Sequence, residues 1–197
     1  MEYKKKLEKL ISEQNGTVLT TQLDSIGIPR IYLQILIDEG KLERVNRGVY
    51  VSTDAIEDKM LSMQLKYPKI IYSHETSLYM HNLTDRTPSR YSVTVPSGYK
   101  ASSNMYDQFK FFYIRKDLVE LGVESMKSPN GNFIKIYNIE RTICDLIRSR
   151  NRIDIQILNE ALKQFVKMKT TDYSILMSFA KELKIDTILS KYLEILL

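Results

Sequence analysis

The chain has 197 residues and 43% hydrophobic content, enough for real cores and too much for a disordered protein. Its net charge is +5 and its pI is near 9.1, a balance that hints at a polyanionic partner without requiring one. A single cysteine excludes an intramolecular disulfide, no apolar run approaches the length of about 18 residues that spans a membrane, and the opening MEYKKKLEKL lacks a signal-peptide core. The expectation is a cytoplasmic protein.

In chain order, Tyr3, Leu7, Leu10 and Ile11 form one stripe of a first helix whose other faces carry Lys4, Lys5, Lys6 and Lys9. Asn15-Gly16 supplies the left-handed residue that ends it. Val18 and Leu19 read as a short extended piece, after which Thr20 or Thr21 caps a brief helix to about Ile26. Gly27 breaks the chain, and Pro29 suits the first turn of a third helix running to about Glu39. Residues 41–52, KLERVNRGVYVS, then alternate as two short strands about Asn46-Arg47-Gly48, a tight hairpin.

Helix, strand, helix, turn, helix and hairpin is the order of a winged helix-turn-helix, in which the third helix enters the major groove and the hairpin wing follows the phosphates. Arg47 at the wing tip and Arg44 on its strand are placed to meet a backbone or an adjacent minor groove. Arg30 and Gln34, one turn apart at the start of the third helix, are candidates for base edges, since each side chain matches a purine edge with two hydrogen bonds. Ile31 between them meets a thymine methyl or completes the core. Charge tempers this reading: residues 1–51 hold eight basic and seven acidic side chains, against 21 and 17 in the remainder. Phosphate neutralisation supplies most non-specific affinity, so local patterning or the rest of the chain must assist. The run Arg148-Ser149-Arg150-Asn151-Arg152 is the candidate for that help.

From about residue 55 the pattern is that of a separate domain: a helix near 56–66, Ile70-Ile71-Tyr72, a helix opened by Ser73, and strands at 91–95, 109–114, around Val123 and 133–137. Asn138 caps a helix to about Ser149, and three apolar-periodic helices follow near 153–168, 172–183 and 186–196. The fold class expected is α+β: a winged helix-turn-helix over 1–54, then a larger mixed α+β domain over 55–197 that ends in helices.

Chemical motifs are sparse. His74 and His81 lie seven apart, but the position a second zinc-binding histidine would take holds Leu78, and no third ligand is near, so no metal is expected. Cys144 sits among Ile143, Leu146 and Ile147 as a buried inert thiol. Glu124 and Lys127 are too loosely spaced for a nuclease pair, and the seven glycines form no phosphate-cradling loop. Arg141 and Asp145 are spaced to pair across a helix turn. Neither a cofactor nor an enzyme activity is indicated.

The stretches GKLERVNRGVY (40–50), SHETSLYMHNLTDRTP (73–88), SVTVP (92–96) and IERTICDL (139–146) together resemble the AbiEi family of antitoxins. The resemblance implies the antitoxin of a type IV toxin–antitoxin pair linked to abortive phage infection. It also implies autorepression, with the N-terminal winged helix on inverted repeats in the operon's own promoter. A C-terminal domain would then counter a nucleotidyltransferase toxin without a stable complex. Carried onto this chain, operator contact falls on Arg30, Gln34, Arg44 and Arg47, with Thr20, Thr21 and Lys41 as phosphate contacts. For the antitoxin role or an additional anion contact, charge alone suggests Arg141, Arg148, Arg150 and Arg152. Two readings from other classes stand beside this one: a ligand-responsive winged-helix regulator, which needs a pocket lined by convergent polar groups, and a metal-dependent nucleic-acid enzyme, which needs a carboxylate cluster.

Overall fold

The computed structural model describes residues 2–169 and 171–196. The chain forms two compact units, Met1–Pro68 with Ser125–Ile134, and Lys69–Glu124 with Lys135–Leu197.

In the first unit, α1 (Glu2–Glu13), β1 (Thr17–Leu19), α2 (Thr20–Ser25) and α3 (Ile31–Asp38) precede the hairpin of β2 (Leu42–Asn46) and β3 (Val49–Ser52), and α4 (Lys59–Lys66) follows. This is the winged-helix order expected. The strands form an antiparallel sheet β1-β3-β2, with Leu19 opposite Val49 and Thr17 opposite Val51. Leu7 and Ile11 of α1, Leu23 of α2 and Leu33 and Leu36 of α3 close a core with Val18, Ile28 and Leu42. Fully burying each such side chain contributes roughly 1.5–3 kcal/mol. Helices α1 and α3 end alike, with Gly16 N–H donating to Ile11 O at 2.8 Å and Lys41 N–H to Leu36 O at 2.9 Å. Each bond satisfies a carbonyl that the helix end leaves open.

Two expectations about helix starts need correction. Leu19, not Thr20 or Thr21, occupies the position before α2, and its N–H is satisfied at 2.9 Å by the Gln22 side chain reaching back. Threonine hydroxyls were read as caps because cap preference favours them; strand pairing at Leu19 decides otherwise. Helix α3 begins at Ile31 after Arg30, two residues beyond Pro29. Ile31 is exposed and takes no part in the core.

The second unit holds β4 (Ile71–Tyr72), α5 (His74–Met80), β5 (Tyr91–Pro96), β6 (Phe109–Ile114), α6 (Ile139–Arg148), α7 (Ile155–Lys167), α8 (Tyr173–Glu182) and α9 (Asp186–Leu196), while β7 (Val123–Lys127) and β8 (Phe133–Tyr137) each have residues in both units. The sheet order is β6-β5-β4-β8-β7, so β6 is an edge strand; it runs parallel to β5, with Val93 opposite Phe111. Asn138 caps α6 by accepting the Arg141 N–H at 2.9 Å, as expected. Every residue of α6 from Arg141 to Ile147 is buried, and Ile143, Cys144, Leu146 and Ile147 anchor the core against Phe112, Leu158, Phe165, Leu176 and Leu189. The α+β class with a helical end is as expected.

The first unit extends past residue 54, and one carboxylate bonds to several of its separate stretches. Asp58 caps α4, accepting the Leu61 N–H at 3.0 Å, and its own N–H donates to Thr17 Oγ1 at 3.2 Å. Its other oxygen accepts from Ser128 Oγ and, at 3.0 Å, from Asn132 Nδ2. Asn15 Nδ2 in turn donates to Asn132 Oδ1 at 3.2 Å. Asp58, Ser128 and Asn132 are all buried, so the network replaces water that these groups have lost. Asp58→Ala strips three donors of their acceptor and the cap from α4. Full-chain unfolding in denaturant should show a loss of about 2–4 kcal/mol; a change below about 0.5 kcal/mol would mean that the network is not what joins 125–134 to the winged helix.

Candidate nucleic-acid interface

The turn between α2 and α3 sets the position of Arg30. Ile28 N–H returns to Leu23 O at 2.9 Å and Gly27 N–H to Asp24 O at 3.4 Å, with Gly27 at φ +68°. This closes α2, buries Ile28 and folds Arg30 back beside Asp24. In the hairpin, Asn46 lies opposite Val49, with an irregularity between Arg44 and Asn46, so Arg47 and Gly48 form the tip. Gly48 has φ +75°, whereas Asn46 does not have the positive φ its residue type permits. A Cβ on Gly48 would sit 2.9 Å from Thr20 Oγ1, and Gly48 O accepts the Thr20 N–H at 3.0 Å. The wing turn therefore rests directly on the first turn of α2.

This contact gathers the predicted residues. Thr20, Arg30, Gln34, Arg44 and Arg47 line one shallow concavity of about 260 Å³, completed by Leu33, Gly48 and Tyr50. Thr21 and Lys41 are not part of it. Thr21 is exposed outside the concavity, and Lys41 pairs with Glu8 at 3.0 Å and Glu39 at 3.2 Å beside a different cavity. Lys41 thus lies outside the concavity, with its ammonium paired to those two carboxylates.

The cations in the concavity are held differently. The Arg47 guanidinium is exposed and makes no hydrogen bond or ion pair among the described residues. Arg44 Nε reaches Asn46 O at 3.3 Å. Arg30 is fixed by Asp24 through Nε–Oδ1 at 2.9 Å and Nη2–Oδ2 at 2.6 Å. That hydrogen bond holds the Asp24 carboxyl below the usual carboxylate range and raises the Arg30 pKa. Gln34 Nε2 donates to Asp38 Oδ1 at 2.8 Å. Sequence reading missed both carboxylates. Asp38 stands four residues after Gln34, a spacing legible in a helix; Asp24 and Arg30 meet only because of the turn between them.

Three guanidiniums, a carboxamide and a hydroxyl converging on one surface suit a polyanion with hydrogen-bonding edges. Residues 5–53 match the family model described as "Transcriptional regulator, AbiEi antitoxin". Over that segment the chain is similar to AbiEi regulators. The stretches at 73–88, 92–96 and 139–146 lie outside that match. In fold the chain is similar to the crystal structure of the RV2827C protein from Mycobacterium tuberculosis, with a TM-score of 0.56 and 12% identity, over 92% of this chain and 72% of that one. No curated protein sequence matches the chain. The matching family is described as one of transcriptional regulators, which supports a regulator role, and no helix among the described residues is long and apolar enough to cross a membrane.

Outside the AbiEi-matched segment, the arginines singled out by charge have internal partners. Arg141 is fully buried: its Nε pairs with Asp145 at 3.1 Å, and its Nη1 donates to Leu118 O at 3.0 Å and Leu121 O at 2.6 Å. It is corrected as an anion contact, since no solvent-borne group reaches it. Burial raises the Asp145 carboxyl above its usual range against the pull of Arg141. Arg150 closes the end of α6 by donating to Ile147 O at 3.2 Å. Arg148 Nη2 and Arg152 Nη2 donate to Tyr113 O at 3.2 Å and Phe111 O at 3.1 Å.

Phe111 and Tyr113 are alternate residues of the edge strand β6, so two of this run's arginines occupy carbonyls along one strand of the sheet edge. The field expected from three arginines is thus partly spent on main-chain oxygens.

The histidines and cysteine behave as structural groups. His74 is buried, stacked on Phe112 with centroids 3.4 Å apart, and bonded through Nδ1 to Ser73 Oγ and through Nε2 to Ser149 Oγ. Burial first, then the charges of Arg148, Arg141, Lys110 and Arg152, push its pKa well down and keep the ring neutral. Burial pushes the Cys144 thiol up to about 12, which leaves it unreactive. The described residues contain no group of three metal-binding side chains.

The edge assignment makes an expected outcome. Arg148→Ala with Arg152→Ala should bare both carbonyls, lower stability by roughly 1–2 kcal/mol and lower the temperature at which scattering rises. The corresponding Lys pair should retain most of both properties. Unfolding and static light scattering of the three proteins measure this; an Ala pair matching the wild type would remove the edge-capping role.

Proposed function

We propose that the chain is an antitoxin and transcriptional autorepressor whose winged helix binds inverted repeats in the promoter of its own operon. The observation that carries this reading is the single concavity shared by the start of α3 and the wing, within a segment that matches AbiEi regulators. In it, Arg30 and Gln34 meet base edges in the major groove, while Arg44, Arg47 and Thr20 hold phosphates. The functional division falls near residue 54, with 55–197 acting against a cognate nucleotidyltransferase toxin without a lasting complex. The type IV, phage-defence setting, the absence of enzyme activity and the cytoplasmic location belong to the same proposal. A nucleotidyltransferase reading frame beside this one is the genomic context it requires.

A ligand-responsive regulator is less well supported. A cavity of about 580 Å³ in the first unit presents Glu8, Lys41, Ser52 and Asp54, but these bond to one another: Lys41 to Glu8 and Ser52 to Asp54. In the second unit a cavity of about 350 Å³ presents Arg86, Arg90 and Lys110, which are engaged by Glu160, Tyr106 O and Glu75. Neither set of polar groups converges on empty space.

Band-shift titrations at two salt concentrations test the DNA reading. Arg47→Ala should weaken binding to every duplex alike and flatten the slope of log affinity against log salt by about one. Arg30→Ala should instead reduce discrimination between promoter and scrambled DNA by roughly 10- to 100-fold. Wild-type affinity and discrimination in both variants would remove the winged helix from DNA.

A further inference from the structure

Among the described residues, Arg30 is the cation of the concavity whose guanidinium is held by a carboxylate. Asp24 takes Nε and Nη2, the lateral edge of the planar fork. What remains directed away from Asp24 is the terminal edge, formed by Nη1 and the second Nη2 proton. A terminal edge offers two parallel donors, which suit a pair of acceptors such as the O6 and N7 of guanine. The neighbouring reader has the same arrangement: Asp38 takes one donor of the Gln34 amide and leaves its oxygen and second proton outward. Arg47, at the wing tip, has no such carboxylate among the described residues.

Two consequences follow from charge and geometry. A carboxylate beside Arg30 repels an approaching phosphate, so this arginine adds little to sequence-independent binding. The same carboxylate fixes the plane of the fork, so less side-chain freedom is lost when two aligned acceptors are met. Each effect favours a base edge over a backbone. The near balance of eight basic and seven acidic side chains over residues 1–51 is then a feature of selectivity, with Asp24 and Asp38 placed where they tax non-specific contact.

We propose that Asp24 is a positioning and specificity-determining residue: it holds Arg30 for a two-acceptor base edge and withholds it from phosphates. This rests on the DNA-binding reading above. The exposed pair is cheap to rearrange, as surface ion pairs are, so the effect concerns recognition and not folding.

The test uses the full chain and duplexes that it enriches from a random library, compared with scrambled duplexes. Asp24→Asn keeps the shape and removes the charge. It should tighten binding to scrambled DNA, steepen the salt slope there by about 0.9 as Arg30 gains a phosphate, and lower discrimination by roughly tenfold. Asp24→Glu, which keeps the charge, should stay nearer the wild type in salt slope. In an Arg30→Ala background, Asp24→Asn should change discrimination no further, because its target is gone. Melting temperatures close to that of the wild type confirm that folding is intact. If the wild type enriches and discriminates duplexes but Asp24→Asn leaves salt slope and discrimination unchanged, or changes them equally without Arg30, this inference fails alone. If the wild type enriches no duplex, the DNA-binding reading fails and takes the inference with it.

Discussion

Where Gly48 approaches Thr20 a Cβ would crowd the Thr20 hydroxyl, and the backbone of the wing is bonded to the backbone of α2. Much of the candidate interface depends on that contact. Strand β1 brings Leu19 opposite Val49, the pairing ends, and the next bond runs from Thr20 to Gly48. The wing tip is thereby fixed beside the start of α2, and the tight turn after α2 returns Arg30 to the same place. A free two-stranded hairpin is marginally stable in water, so a wing without this seat would carry Arg44 and Arg47 on a mobile arm. With the seat, they share a surface with Arg30 and Gln34.

The interface is organised by acids as much as by bases. Among the described residues the Arg47 guanidinium has no partner, Arg44 touches a main-chain carbonyl, and Arg30 and Gln34 are each held by an aspartate. A surface tuned only for affinity would omit those aspartates, since counterion release rewards every uncompensated cation. Their presence suits a regulator that must distinguish a few sites from a large excess of other DNA. Elsewhere, too, charge is spent internally: Arg141 inside the second core, Arg148 and Arg152 on the carbonyls of β6.

Much of this was legible in the sequence, for physical reasons that differ by element. The apolar spacing of Leu7 and Ile11, the punctuation at Asn15-Gly16 and Gly40, and the alternation about Arg47-Gly48 are local signals, and they placed the winged helix. Asn138 as the cap of α6 was readable for the same reason. What escaped was non-local. Asp58 bonds to Ser128 and Asn132, about seventy residues away, and nothing in its neighbourhood announces this. Arg148 and Arg152 looked like a free positive patch because net charge is visible in a sequence and carbonyl partners are not. Lys41 was grouped with Arg44 by proximity along the chain, yet Glu8 from α1 holds it beside another cavity. Thr20 kept its place in the site, but as a neighbour of Gly48 and not as a helix cap.

One surface, built from the start of α2, the start of α3 and the wing, is where we propose that this protein meets duplex DNA. Backbone amide spectra of the full chain, recorded while a duplex that it enriches is added, address this residue by residue. The largest shifts should fall at Thr20, at residues 30–34 and at residues 44–50, with little change around Ile11, Asn15 and residues 52–55 on the other cavity. Shifts centred on that second group, with Arg30, Gln34 and Arg47 undisturbed, would contradict it.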